Sequence, residues 1–195
     1  VRYADDFARH EAHAEELRDE VAAVLAPMGL RLSEHKTLTA YIDEGFEFLG
    51  FRIQRQRQQG SNKRYVYTWP SKKSLTSIRA KVKAITKMGT NQPLSELLRG
   101  INQVLRGWTG YFRHGVSSRT FAHLHQFTWE RIVHWLRRKH KRATWKWLKR
   151  RYLANSWWPE HDGVSLFNCG TVPITRYRYR GTKIPTPWEP NTDAA

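Results

Sequence analysis

Acidic residues almost vanish from the middle of this 195-residue sequence: positions 61–155 hold two, Glu96 and Glu130, against 22 lysines and arginines. The flanks do not share the imbalance. Residues 1–60 carry 8 Lys and Arg against 11 Asp and Glu, and residues 156–195 carry 4 against 4, so the formal charge of +17 arises entirely in the centre. Such a concentration of one sign implies a polyanionic partner, because cations that neutralise phosphates release counterions and bind without regard to sequence. Cysteine is nearly missing too. Cys169 alone excludes an intramolecular disulfide and a cysteine-rich zinc site, and fits a reducing compartment. No apolar run approaches the roughly 20 residues that span a bilayer, and the first residues lack the apolar stretch of a signal peptide. The expectation is a cytoplasmic protein with no membrane partner. The first residue is Val1 instead of methionine, which leads to the further expectation of a fragment.

What is present divides into three expected zones: 1–69, 70–155 and 156–195. The first reads as mixed α and β. From Glu11 to Met28, apolar Ala14, Leu17, Val21, Val24, Leu25 and Met28 recur at helical spacing, and Gly29 stops the run. Strands are expected at Leu30–Leu32, Leu38–Ile42, Phe46–Ile53 and Tyr65–Trp69, with a turn at Glu44 and Gly45 and a polar loop over Gln54–Lys63. The second zone reads as helical. Ser71 is a candidate cap for a helix with Leu75, Ile78, Val82, Ile85 and Met88 on one face. A second helix starts near Pro93, and two more are expected over Thr120–Lys139 and Ala143–Leu153. The proline-bearing last zone suits short strands and irregular chain.

Several groups carry possible chemistry. Asp5 and Asp6 adjoin within Tyr3-Ala-Asp-Asp6. Paired acids on a hairpin supply part of the carboxylate cluster a two-metal polymerase needs to position the attacking hydroxyl and stabilise the leaving oxygens; a plain charged turn explains the same four letters. In the second zone Trp135, Leu136, His140, Ala143, Trp147 and Leu148 alternate with many cations. Guanidinium groups pair bidentately with phosphate and aromatic rings stack on bases, whereas a solvated basic face is the ordinary alternative. Gly107-Trp-Thr-Gly-Tyr-Phe-Arg-His114 admits a structural reading, with glycines for close helix approach and packed rings, beside RNA contact by Arg113 and His114. Asn102 reads as a helix-surface residue. Ser117 and Ser118 read as caps for the helix near Thr120. His123 and His125 diverge by about 200° on a helix and cannot share a metal; His10 and His13 lack a third ligand nearby.

Five motifs occur in order: Tyr3-Ala-Asp-Asp6, Ser33-Glu-His-Lys-Thr37, Phe46-Glu-Phe-Leu-Gly-Phe51, Trp69-Pro-Ser-Lys-Lys73 and Leu105-Arg-Gly-Trp-Thr-Gly-Tyr-Phe-Arg113. The series resembles the group II intron reverse transcriptase/maturase family. The resemblance implies an α+β fold: a residual palm piece, then a mainly α-helical thumb and maturase-specific region (domain X), then an irregular or short-stranded tail. It implies that Asp5 and Asp6 bind catalytic magnesium and that Lys36 lies near the incoming triphosphate, neutralising charge or donating a proton. Phe48, Leu49, Gly50 and Phe51 correspond to a segment that holds the primer end. Intron RNA is the implied partner of Lys72, Lys73, Arg79, Lys83, Arg106, Arg113, His114, Arg119, Arg137, Arg138, Lys141, Arg142, Lys146, Lys149 and Arg150, and DNA is a further target of the full-length family.

The sequence departs from the family pattern where the polymerase would be built. The fingers and the upstream metal-binding aspartate do not precede Tyr3, and the apolar strand expected after Phe7 gives way to Ala8, Arg9 and His10. The magnesium site is therefore expected to be incomplete and polymerase activity absent from this chain alone. A palm edge left uncovered would favour self-association. The expected function is binding of group II intron RNA to assist splicing, the alternative being a non-functional remnant or a nonspecific basic nucleic-acid binder.

Overall fold

The structure is a computed structural model that describes residues 2–3, 6–7, 14–33, 40–154 and 157–175. Arg2–Tyr3 (β1) and Asp6–Phe7 (β2) pair antiparallel, with Tyr3 opposite Asp6. Ala14–Leu25 form α1, extended by a 3-10 turn over Ala26–Met28 and closed by Gly29 at φ +72, a left-handed conformation that glycine adopts without strain. The helix expected over Glu11–Met28 is present from Ala14, with its stop at Gly29; residues 11–13 lie outside the described set. Of the residues expected on its apolar face, Val24 is 67% and Met28 60% exposed.

The stretch expected as one strand over 46–53 is two. Phe46–Phe48 (β3) and Phe51–Arg57 (β4) pair antiparallel with Phe48 opposite Phe51, so Leu49 and Gly50 make a two-residue turn with φ of 49 and 78. Positive φ at both positions matches the right-handed twist of the flanking strands. β4 then pairs with Arg64–Pro70 (β5) from Phe51 opposite Pro70 to Arg57 opposite Arg64. Gln54–Arg57 is thus strand, not the expected loop. Its alternating Arg and Gln give no apolar signal, yet these residues pair in register with β5, and only residues 58–63 turn. Leu30–Leu32 and residues 40–42 form no strand either. Gly45 closes a turn onto the Tyr41 carbonyl, and the Ile42 carbonyl accepts from the Arg55 N–H of β4 at 2.9 Å. Residues 38 and 39 lie outside the described set.

The helical zone follows its periodicity. Ser71 caps Lys72–Lys87 (α2) by accepting from the Ser74 N–H at 3.1 Å. Leu94–Phe112 (α3) begins after Pro93, Ser118–Lys139 form α4, and Trp145–Tyr152 (α5) is capped by Thr144. Arg79 meets Phe127 and Thr86 meets Arg131 and Arg138, so α2 and α4 run parallel. α3 runs the opposite way: the loop before it is held by Lys139, and its end packs under Phe51. Ile78 and Val82 of α2, Leu98, Ile101 and Leu105 of α3, and Leu124, Ile132 and Trp135 of α4 fill the interior. Met88, expected on the inner face of α2, is the exposed residue that ends it.

Three expectations change here. Ser117 does not cap α4 through its side chain; its buried hydroxyl donates backwards to the Phe112 carbonyl at 2.6 Å. Asn102 is not a free surface residue, because its amide donates to the Ser165 carbonyl and accepts from the Phe167 N–H, both at 2.8 Å. Gly107 and Gly110 do not serve close approach, since an added Cβ would meet nothing within 4 Å at either position. Close approach occurs at Gly115, where a Cβ would lie 2.8 Å from the Thr68 carbonyl.

Leu153–Ala154 (β6), Trp158–His161 (β7) and Val164–Ser165 (β8) form a small antiparallel sheet. Beyond it the chain runs along α3 and α4, and Leu166 and Cys169 enter the same buried cluster as the helices. Burial of Cys169 pushes its thiol up to about 12.

Candidate nucleic-acid interface

The Phe48–Phe51 turn docks the sheet on the helices. The Leu49 carbonyl accepts from the Tyr111 hydroxyl at 2.9 Å, and the Gly50 carbonyl accepts from the Ser71 N–H at 2.8 Å and the Ser74 hydroxyl at 2.9 Å. Phe51 lies 5.5 Å from the Tyr111 ring and 4.8 Å from Phe112, while Trp108 lies 4.5 Å from Phe112 and 6.0 Å from Phe121. The rings of the Gly107–His114 segment are therefore packing groups that join sheet to bundle. Its polar end is tied to the tail: the Arg113 carbonyl accepts from the Thr175 N–H at 3.0 Å, and His114 Nδ1 lies 3.1 Å from the Thr175 carbonyl oxygen.

Some expected RNA contacts have structural work to do. Arg79 covers the Phe127 ring at 4.5 Å, Arg106 covers Phe167 at 4.9 Å, Arg137 covers Trp145 at 5.4 Å and Lys149 covers Trp157 at 4.6 Å. Such pairs combine ring electrostatics with burial of the alkyl stem. Arg138 donates to the Thr86 carbonyl. Thr86, in turn, is fully buried on the apolar stripe of α2, where its hydroxyl donates to the Val82 carbonyl at 2.9 Å and accepts from Arg131 Nε at 3.1 Å. Lys139 donates to the carbonyls of Thr90 and Gln92 at 2.6 and 2.8 Å, fastening the loop between α2 and α3. Charge and motif alone missed the roles of Arg131 and Lys139. The available signal was Thr86 itself, four residues beyond Val82 on a core face, where a buried hydroxyl must be satisfied.

Eight of the expected RNA-contacting cations are unengaged. Lys72, Lys73 and Lys83 on α2, Arg119 at the start of α4, Lys141 and Arg142 in the following turn, and Lys146 and Arg150 on α5 are exposed, with no side-chain hydrogen bond or ion pair among the described residues. Lys87 joins them, four residues beyond Lys83 and so about one turn further along the same side of α2. Ion pairs among the described residues are Arg18 with Asp19 at 3.3 Å, Arg55 with Asp43 at 2.6 Å and His161 with Asp162 at 2.8 Å. The side-chain hydrogen bond from Arg55 holds Asp43 below the usual carboxylate range. None of the three includes a cation from 61–154. The helices tolerate part of this charge through their dipoles, since Arg137, Arg138 and Lys139 occupy the last turn of α4 and Lys149, Arg150 and Arg151 that of α5.

The acid pair is less informative. Asp5 and Lys36 lie outside the described residues, as does the side chain of Asp6, whose backbone belongs to β2. The described residues contain no group of three His, Cys, Asp or Glu able to hold a metal. His125 stacks on Trp158 at 5.0 Å with an angle of 17°, and burial lowers its pKa. His140 Nε2 lies 2.9 Å from the Tyr152 hydroxyl, and its pKa is lowered by burial and by the neighbouring charges of Lys139 and Arg151. No described helix is long and apolar enough to cross a membrane.

Comparison with known proteins places this basic, helical region. Residues 75–153 match the family described as group II intron, maturase-specific domain. Over 93 residues the sequence is 38% identical to Protein YkfC of Escherichia coli (strain K12), an alignment covering 42% of this chain and 24% of that protein. The chain thus spans less than a quarter of that curated relative's length.

Proposed function

We propose, on the match of residues 75–153 to the group II intron, maturase-specific domain, that the chain binds group II intron RNA and assists its splicing. The observation that carries this reading is the row of exposed cations on α2 and around α5 that no described carboxylate neutralises. Phosphate oxygens are the natural counterpart: they relieve like-charge repulsion along α5, where Lys146 and Arg150 are four residues apart, and release counterions when bound. As the family resemblance implies, bond making and breaking in splicing belongs to the RNA. The chain supplies binding energy and holds the RNA in its splicing-competent form. No side chain is assigned a chemical step.

Competition between the intron RNA encoded with this chain and an unrelated structured RNA of equal length tests the specificity in this proposal. Tighter binding to the intron is expected. Equal affinity for both would leave only a nonspecific basic binder.

A further inference from the structure

The described tryptophans fall into two groups. Trp135 is fully buried, and Trp69, Trp108, Trp129, Trp145 and Trp158 are at least partly covered by the fold. Trp147 and Trp157 are 43% and 56% exposed. Helix geometry explains the first: α5 turns Trp145, Leu148 and Tyr152 inward, and Trp147 falls off that stripe, between Arg150 and Arg151 on the outer side. Each exposed ring is nevertheless oriented. Lys149 Nζ stands 4.6 Å from the Trp157 ring centre and Trp129 lies 6.0 Å away on a tilted plane. Arg151 stands 5.7 Å from Trp147, with His140 edge-on at 5.2 Å.

An indole held beside a cation and left open to water matches the chemistry of an unpaired nucleotide, whose base offers a π-face and whose phosphate offers a charge. We propose that Trp147 and Trp157 are stacking platforms for unpaired RNA bases, so that this end of the molecule grips loops or single strands in preference to continuous duplex. The proposal rests on the RNA-binding reading above and adds which nucleotides are held. A paired A-form helix keeps its bases stacked inside and presents phosphates and 2′-hydroxyls instead. A lipid surface fits less well, because Leu148 and Tyr152 are buried in the core and leave α5 no apolar face to insert.

The test compares the full chain with the Trp147→Ala/Trp157→Ala and Trp147→Phe/Trp157→Phe variants. Binding is titrated against a hairpin RNA with an unpaired loop and against a continuous duplex of equal charge, across a salt series. The alanine pair, which removes two platforms, is expected to lose about thirtyfold or more in affinity for the looped RNA, with little change on the duplex and an unchanged salt slope. The phenylalanine pair should keep most of the affinity. Equal losses on both RNAs, no loss on either, or tryptophan-dependent capture by anionic phospholipid vesicles that displaces RNA would overturn the stacking proposal. Salt-dependent binding indifferent to the tryptophans sinks stacking alone, whereas binding indifferent to salt sinks the electrostatic reading beneath it.

Discussion

His125 shows how a single residue's surroundings become a measurable property. It lies on the Trp158 ring, its Nδ1 is buried without a hydrogen-bond partner among the described residues, and burial depresses its pKa. Protonation would add a charge in a poor dielectric and a donor with nothing to accept it. A depressed pKa means the unfolded chain binds the proton first. Stability from this site is therefore full above the unfolded histidine value near 6.5 and is lost as pH falls through the folded value. His140 acts in the same direction. The urea midpoint should fall between about pH 7.5 and about pH 5, and His125→Phe, which keeps a ring on Trp158, should flatten that fall. An identical pH profile in the variant would remove His125 as a contributor. At this scale the sequence offered little. Spacing alone separated His123 from His125, but the stacking partner lies 33 positions away, beyond the rest of α4 and all of α5, out of the reach of any local pattern.

At the scale of elements, helices were legible because apolar periodicity recurs every turn, and the Ser71 cap was legible because its chemistry is local. The β3–β4 turn was not. Phe46–Ile53 has the composition of one strand, and only the demand that Gly50 dock against Ser71 and Ser74 reveals the break. Two glycines separate local from tertiary causes. Gly50→Ala forces a side chain into φ +78 with its Cβ 2.7 Å from the Ser74 hydroxyl, and should cost about 1–3 kcal/mol in chemical denaturation. Gly107→Ala sits in a helix with open space around it, and should stabilise by about 0.5–1 kcal/mol. Destabilisation by Gly107→Ala would restore the close-approach reading that the open space argues against.

For the whole molecule, the division of charge was visible in the sequence, and the match of residues 75–153 to the maturase-specific domain falls within the zone it marked. What charge counting could not do was sort the cations. Arg138 and Lys139 look like their neighbours in sequence, yet they fasten the α2–α3 region from within. Lys141, Arg142, Lys146 and Arg150 are exposed and unengaged among the described residues. That sorting picks the decisive measurement of RNA binding: the intron RNA affinity of the full chain across a salt series, beside a variant with those four residues replaced by alanine. The expected result is a weaker complex whose log affinity falls less steeply with log salt, by about 0.7 for each single-stranded phosphate no longer neutralised. An unchanged slope, with the variant folded, would take the α5 end of the molecule out of the interface and contradict electrostatic binding of the intron there.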